Sequence, residues 1–337
     1  MRTEPDPTAP RSEALASPAT LQTEVEAEFP IPNRLNAALV AVVFCGAIVL
    51  LWIASRLDSW IAVFAIGLVF SYLMLTNYAL LHEAAHCNLN SRLHFNYWLG
   101  LALGLLFPIP FSMIHSTHQG HHRNNRTDAE MFDLYYATDN RFRKYVQWYG
   151  ILCGFFWPLV PLGTLLFCLL PRWFRRLIFE RPRSTGYLFA GVNDIQVWQV
   201  RAEGLLILGF FTALFWLLDL RWLPTLLLYA CFSFNWSTRQ YVGHAFTRRD
   251  VVEGAWNLRH NRLMTWVLLH GEYDLAHHRR PDVPWLYLPR LVSAGETRPD
   301  YLGSYWRQWL GPRPVTESAP NPLHLGDRTG RVLDGKE

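Results

Sequence analysis

The amino-acid sequence predicts an all-α integral membrane protein, with four transmembrane helices in two hairpins, interfacial helices and a cytoplasmic cap. Three observations predict this class: an apolar composition, uncharged runs that occur in pairs, and histidines grouped at helical spacing. Of the 337 residues, 51% are hydrophobic and 17% are charged, whereas soluble domains contain about 25% charged residues. The formal net charge of +4 is too small to indicate a nucleic-acid partner.

The first hairpin is predicted from two uncharged runs, about 35–55 and 59–81. Each run is long enough to cross a membrane, which requires ~20 apolar residues. Only three residues separate the runs, so the two helices are expected to be antiparallel. Trp52 and Trp60 flank the connection, where tryptophans anchor helices in the membrane interface.

A second hairpin is predicted from the uncharged runs 204–218 and 222–238. The first of them is short for a transmembrane helix. A connection of three residues again joins the pair, and Trp216 and Trp222 flank it. We therefore predict four spans with both connections on the same side of the membrane.

Two further apolar stretches, about 93–114 and 145–171, are predicted to be interfacial or re-entrant helices. Two prolines interrupt each of them, Pro108 and Pro110 in the first and Pro158 and Pro161 in the second. If 145–171 crossed the membrane once, six arginines between positions 172 and 201 would face the outside. That arrangement contradicts the positive-inside tendency. The expected topology is therefore multi-pass, with the termini and the histidines on the cytoplasmic side.

Polar segments flank this membrane domain, which is expected to cover residues 35–310. Residues 1–34 are rich in Pro, Ala and Glu and lack an apolar core. We expect them to form a disordered cytoplasmic tail rather than a signal peptide. Residues 311–337 are predicted to be a polar C-terminal tail.

The chain contains thirteen histidines, and seven of them lie between His82 and His122. The first group is HEAAH at 82–86, where His82 and His86 share one helical face because they are four residues apart. Zinc metalloproteases have the same pattern, with the glutamate, here Glu83, as general base. An intramembrane zinc protease is therefore one alternative at this point.

The second group is HQGHH at 118–122, which places three imidazoles on one helical face. Such a face is not an apolar core, and adjacent histidines are uncommon on a solvated helix. We interpret His118, His121 and His122 as metal ligands. His115, three residues earlier, is interpreted as a neighbour of the ligands.

The third group is DLAHH at 274–278, which has the same spacing with a carboxylate in the first place. His270 lies one turn earlier and is the alternative ligand to Asp274. His244 follows the last predicted span and is placed to reach the same centre. The candidate ligands of this part of the chain are Asp274, His277, His278, His244 and His270. The candidate catalytic carboxylates are Asp274 and Glu83.

This number of ligands exceeds the capacity of one metal, because a zinc site takes four. Two metals are therefore indicated. Imidazole binds Zn, Cu, Fe and Ni alike, so the ligands do not identify the element. A nitrogen-rich two-metal site beside lipid favours redox chemistry with dioxygen over hydrolysis.

Together these motifs resemble the membrane fatty acid desaturase superfamily, the histidine-box, non-haem di-iron integral membrane enzymes. The resemblance covers about residues 35–291. It rests on the three histidine boxes, on YVGH ending at His244, and on PDVPW at 281–285. It implies a cytoplasmic di-iron cap, dioxygen as co-substrate, and electrons from a separate ferredoxin or cytochrome b5 type protein. The implied substrate is a fatty acid or fatty acyl lipid, and the implied reaction is desaturation.

One departure from the family is Asp274, which occupies a place where the third box usually has histidine. The same centre is therefore also considered for hydroxylation, for ketolation, and for oxidative decarboxylation of free fatty acids to terminal alkenes. Four arginines follow the second and third boxes. We interpret them as a clamp for a substrate carboxylate or phosphate, with ordinary cytoplasmic charge and docking of an acidic reductant as alternatives. They are Arg123, Arg126, Arg279 and Arg280.

Two other classes of protein are disfavoured by the same motifs. A zinc protease needs one ligand beyond HEAAH, whereas the second and third boxes and His244 supply six further histidines here. A metal transporter places its polar ligands inside the spans, whereas these histidines follow the spans.

Overall fold

The computed structural model describes residues 27–174 and 196–323, which are mostly helical. The helices are α1 (Asn33–Ala54), α2 (Trp60–Ala85), α3 (Leu93–Leu106), α4 (Phe111–Asn124), α5 (Arg141–Gly150), a π-helix (Ile151–Phe155), α6 (Phe156–Leu169), α7 (Val197–Leu217), α8 (Trp222–Ser237), α9 (Arg262–Val267), α10 (Asp274–Arg279), a 3₁₀-helix (Trp285–Leu291) and α11 (Tyr301–Gln308). Two short strands, β1 (Leu134–Tyr135) and β2 (Arg313–Pro314), pair in parallel. Most of the predicted tail 1–34, the arginines between 175 and 183, and residues 324–337 lie outside the described residues.

Four helices of the described ranges are long and apolar enough to cross a membrane: α1, α2, α7 and the continuous run Arg141–Leu169. α3 and α4 form a further bent pair, with an angle of 98° at the break. α8 covers the predicted span 222–238 but has only 16 residues, fewer than the ~20 needed for a perpendicular crossing. Length and composition alone therefore favour 141–169 over α8, in contrast to the sequence prediction.

α7 begins at Val197, earlier than the predicted run 204–218, and has 21 residues. The additional turns include two charged residues, which interrupt the uncharged pattern. Arg201 donates from Nε to the carbonyl of Cys168 at 2.9 Å. Glu203 is buried, with 2% of its surface exposed. Because both charged side chains have hydrogen-bond partners on other helices, α7 extends beyond the uncharged run that predicted it.

The connections after α1 and after α7 contact each other. Arg56 donates to the carbonyls of Leu218 and Asp219, both at 2.9 Å. Arg221 donates in return to the carbonyl of Leu57 at 3.0 Å. The two short connections therefore lie at the same end of the helical group.

α6 is attached at both ends to the opposite end of the α7–α8 pair. The amide of Trp157, near its start, donates to Ser237 Oγ at the end of α8 (2.9 Å). The carbonyl of Cys168, near its end, accepts from Arg201 close to the start of α7. Both ends of α6 thus contact α7 and α8 far from the connection that joins these two helices.

The run 141–169 is also broken in the middle. Gly154, in the π-helix, has φ +98°, a conformation that glycine adopts without penalty. A Cβ at this position would lie 3.0 Å from Phe234 Cα of α8. Ser233 and Ser237 donate to the carbonyl of Gly154, at 2.6 and 3.2 Å. The break is therefore held in place by α8, and α5 and α6 are not one straight helix.

α2 ends beside Trp285, which joins the end of this helix to α1. The amide of Trp285 donates to Glu83 Oε2 at 3.0 Å, and its indole Nε1 donates to Asn36 Oδ1 at 3.0 Å. Asn36 also donates to the carbonyl of Leu89 at 2.9 Å. These buried bonds fix the end of α2, which carries the first histidine group.

Glu203 of α7 caps the helix that carries the second histidine group. Its carboxylate accepts from Tyr97 Oη (2.8 Å), from the amide of Ser112 (2.9 Å) and from Ser112 Oγ (2.9 Å). Pro110, the N-cap residue of α4, makes no side-chain bond to the helix. A carboxylate at this end satisfies an unpaired amide and is favoured by the helix dipole. The placement of α4 therefore depends on a residue of another helix.

We expect Glu203→Ala to lower the melting temperature of the protein in detergent. The half-buried donors of Tyr97 and Ser112 would lose their acceptor, at a cost of about 1 kcal/mol each. Glu203→Gln keeps one oxygen and should lose less. Thermal unfolding followed by tryptophan fluorescence measures the effect. Asp219→Asn is the matched control, because that side chain is 94% exposed, and equal melting temperatures for Glu203→Ala and the control would contradict the capping role.

Candidate metal centre

Three helices bring five histidines to one point in the cap. α2 and its C-cap supply two, α4 supplies two and α10 supplies one. The ligand atoms of all five lie within 4.8 Å of one another. We call them the five-histidine group; its members are His82, His86, His118, His122 and His277.

The Nε2 atoms in this group face one another. His118 Nε2 lies 2.6 Å from His86 Nε2 and 3.1 Å from His122 Nε2. His277 Nε2 lies 3.0 Å from His122 Nε2. Two nitrogens bound to one ion at about 2.0–2.1 Å lie roughly 2.9–3.4 Å apart. Buried nitrogens that converge at such separations fit a metal site better than a hydrogen-bond network, since one imidazole can donate only one proton.

A second group adjoins the first. His121, His244 and His278 have ligand atoms within 4.8 Å of one another, and we call them the three-histidine group. His121 Nε2 and His278 Nε2 are 3.2 Å apart. Asp274 lies beside this group, with Oδ2 3.0 Å from His244 Nε2 and Oδ1 3.9 Å from His278 Nε2.

The two groups are in direct contact. The rings of His122 and His278, one from each group, have centroids 4.4 Å apart. The α4 helix contributes to both groups, because His121 points to one side of the helical face and His118 and His122 to the other. The arrangement has room for two metal ions side by side, each with at least three nitrogen ligands.

The protonation state of these imidazoles suits metal binding. Burial, together with the neighbouring histidines, holds the pKa of His277 and His278 well below the ordinary value. Burial also lowers the pKa of His244, although the Asp274 carboxylate opposes the shift. Neutral imidazole is the form that donates a lone pair to a metal, so His277, His278 and His244 are in the binding form at neutral pH. Burial also acts to lower the pKa of His121, but the Glu130 carboxylate outweighs burial and raises it.

Bonds on the far side of the rings orient several of these ligands. His121 Nδ1 lies 2.5 Å from Glu130 Oε1, and His244 Nδ1 lies 3.1 Å from the carbonyl of Gly254. Such contacts fix the ring orientation and tautomer of a metal-binding histidine. Sequence reasoning did not single out Glu130, which lies in a loop without periodicity. His115 contacts the carbonyl of Ala85 at 2.8 Å and is in neither group.

His270, the alternative ligand, belongs to neither group within the described residues. Its ring stacks on Trp285 with centroids 5.6 Å apart. Leu269 and His270 both have positive φ, +47° and +57°, so the helix of the third box does not extend back to His270. The geometry thus favours Asp274 over His270 as the additional ligand of the three-histidine group.

Glu83 is placed as a structural carboxylate. It is 3% exposed, and its Oε2 accepts the bond from the amide of Trp285. The general base of a protease must reach a water beside its metal, whereas this oxygen is occupied by the backbone. Its other oxygen, Oε1, lies 3.8 Å from His82 Nδ1, so one of the two carboxylate oxygens has a structural partner and the other faces a histidine of the site.

The predicted arginine clamp is not assembled. Arg126 is fully buried and donates to Asp133 Oδ1 at 2.6 Å. Arg279 pairs with Glu253 at 2.6 Å, and Arg280 pairs with Asp282 at 2.9 Å. These guanidinium groups bind carboxylates of the chain itself, and Arg123 is absent from the cavity described next. The contacts of Arg126, Arg279 and Arg280 are those of structural residues, because a carboxylate of the chain neutralises each charge.

A cavity of about 700 Å³ reaches both histidine groups. Its polar end includes histidines of both groups and Asp274. Its remaining wall is largely apolar and comes from α2, α4, the π-helix, α6 and α8; it includes Leu75, Tyr78, Phe107, Met113, Ile151, Phe155, Phe156, Leu159, Val160 and Trp236. A cavity of this size and polarity is typical of a site for a small apolar ligand.

Comparison with known proteins agrees with this geometry. A family model described as fatty acid desaturase matches residues 58–309, which is 252 of the 337 residues. A search of curated proteins finds no match. The matched range contains all eight histidines of the two groups. The chain therefore belongs to the fatty acid desaturase family.

Proposed function

We propose that this protein is a fatty acid desaturase, an oxygen-dependent non-haem di-iron oxidoreductase that acts on fatty acyl chains. The observation that carries the proposal is the contact between two histidine groups at the polar end of one largely apolar cavity. A zinc protease of the HExxH type needs one metal, whereas this site has histidines for two metals and a largely apolar wall that suits a hydrocarbon chain.

The five-histidine group would hold one iron, and the three-histidine group with Asp274 would hold the other. When bound, the two irons supply the redox chemistry by which dioxygen and two electrons remove two hydrogens from neighbouring methylenes. In balance, dioxygen is reduced to two waters with two electrons and two protons from outside the chain and two hydrogens from the substrate. The electrons require an external reductant, for which we propose a ferredoxin or cytochrome b5 type protein.

The residues of the chain position the substrate for this step. Aromatic and branched side chains surround the acyl chain, exclude water and hold it straight past the histidines. His121 and His244 are held by Glu130 and Gly254, so the ligands do not have to reorganise. Decarboxylation of free fatty acids, the alternative based on Arg279 and Arg280, receives no support from these residues, because both are paired with carboxylates.

Lipid analysis tests the proposal. We expect cells that express the protein to accumulate unsaturated acyl chains, and cells that express His121→Ala to lose them. His94→Ala is the matched control, since His94 is an exposed histidine outside both groups. Purified protein should contain about two irons per chain, and His118→Ala, His122→Ala or His278→Ala should contain less.

The products also separate the alternatives. Hydroxylated or oxidised chains would indicate hydroxylation or ketolation, and volatile terminal alkenes would indicate decarboxylation. A single stoichiometric zinc without iron would overturn the di-iron proposal and return the site to the protease class.

We further propose that α1–α2 and α7–α8 are two hairpins whose connections face the outside, with the cap in the cytoplasm. The contact between the two connections and the attachment of α6 at the other end of α7–α8 support this topology. In this arrangement the run 141–169 lies along the cytoplasmic interface, and the arginines after it stay on the cytoplasmic side.

Cysteine labelling checks the topology. On a cysteine-free background, Asp58→Cys and Asp219→Cys should react with an impermeant maleimide from outside, because these side chains are 96% and 94% exposed. Arg248→Cys, at a cap position 59% exposed, should react only after permeabilisation. Labelling of Arg181→Cys from outside would refute the two-hairpin arrangement.

Asp274 offers a separate test of the second metal. Asp274→Ala should lower both iron content and turnover, whereas Asp274→His should retain iron. Gly243→Ala should mimic Asp274→Ala, because a Cβ at Gly243 would collide with the Asp274 carboxylate. The double variant should then lose no more iron than either single variant. Full iron content in Asp274→Ala would exclude the carboxylate as a ligand.

A further inference from the structure

One basic side chain other than histidine lines the cavity in the part of the chain that the structure describes, and it is Arg239. This arginine follows directly after α8 and its C-cap residue. The sequence analysis did not single it out, because it lies outside the histidine boxes.

The contacts of Arg239 hold its guanidinium in one orientation. Nε donates to Asn235 Oδ1 at 2.8 Å, and Nη1 donates to Tyr301 Oη at 3.3 Å. The rings of Tyr72 and Tyr301 flank the guanidinium, with centroids 6.0 and 5.7 Å from Cζ. Asn235 is itself fixed by a bond to Ser71 Oγ at 3.0 Å. All of these partners are neutral.

This neutrality distinguishes Arg239 from four other arginines of the described residues. Arg126, Arg249, Arg279 and Arg280 each pair with a carboxylate within 3.0 Å. Over the described ranges, no carboxylate lies within ion-pair distance of Arg239. A half-buried positive charge that is oriented but not neutralised is what a site for an anionic group requires.

Four carboxylates line the cavity, and each is engaged elsewhere. Glu272 accepts from Thr265 Oγ1 at 2.6 Å, and burial raises its pKa. Asp274 faces His244, Glu130 contacts His121, and Glu83 accepts from the amide of Trp285. None of the four makes an ion pair with Arg239, so an anionic ligand would not have to displace an internal partner.

We infer that Arg239 binds the anionic head group, a carboxylate or a phosphate, of the acyl substrate whose chain occupies the cavity. The inference rests on the proposed function for the identity of the ligand as a lipid substrate. Arg239 anchors one end of the chain, and the apolar wall guides the rest of it past the histidine groups.

Equilibrium binding tests this role without turnover. Iron-loaded protein in a neutral detergent, without reductant, is titrated with radiolabelled palmitate, with palmitoyl-coenzyme A, and with hexadecanol as the neutral ligand of equal chain length. We expect Arg239→Gln to weaken binding of the anionic ligand about tenfold or more and to leave hexadecanol unchanged. Arg239→Lys should restore part of the affinity. Arg280→Gln, which removes a paired guanidinium, is the matched control.

The anionic ligand that responds to Arg239→Gln identifies the head group as a carboxylate or a phosphate. Equal effects on palmitate, palmitoyl-coenzyme A and hexadecanol, or no effect on any of them, would overturn the inference. Binding that depends on Arg239 without any oxidised lipid product would refute the proposed function alone. Unsaturated product together with binding that is insensitive to Arg239→Gln would refute only the inference.

Discussion

Eight imidazoles held against one another in a buried region are the constraint on which the rest of this structure depends. Their lone pairs converge, so they cannot satisfy each other, and a charge on one would repel the next. The surrounding fold must therefore supply the forces that bring the rings together. Glu130 and the carbonyl of Gly254 hold the Nδ1 atoms of His121 and His244. Glu203 accepts a bond from the amide of Ser112 and so fixes the start of α4. A buried carboxylate in an apolar helix is costly unless bonded, and here its bonds to Ser112 also fix the start of the helix that carries the second histidine group.

Local periodicity predicts seven of the eight histidines that the structure brings together, because i, i+3 and i+4 positions share a helical face. The eighth, His244, stands alone in the sequence, and His270, one turn before the third box, joins neither group. Periodicity was not sufficient to divide the histidines between two groups. His121 and His122 are neighbours in sequence, but successive residues of a helix point about 100° apart, so they serve different groups. Which group each joins is decided by the approach of α2 and α10, which is a property of the tertiary structure.

The predictions that changed depended on partners distant in sequence. The run before 204 contains Arg201 and Glu203, and only their bonds to Cys168 and Ser112 show that α7 extends through them. Arginines next to the histidine boxes suggested a clamp, yet Arg279 has carboxylate partners 26 and 17 residues away. Local spacing also does not show where a helix begins: Leu269 and His270 are both left-handed, so the helix of the third box does not reach back to His270. The sequence therefore predicts apolar helices and histidine faces well. It does not predict the partners of charged side chains or the ends of helices, because both depend on residues that are distant in sequence.

Part of the cavity wall lies apart from the metal centre along the chain. The π-helix and α6 line the cavity, but none of the eight histidines lies on them, and backbone groups of Gly154, Trp157 and Cys168 join them to α7 and α8 by hydrogen bonds. Side chains of these two helices that line the cavity, such as Phe155 and Leu159, can therefore vary without altering a ligand or one of these hydrogen bonds. The histidine groups and this part of the wall can therefore change independently. Substitutions in the π-helix and α6 can adapt the cavity to substrates of another length or shape while the metal centre stays the same.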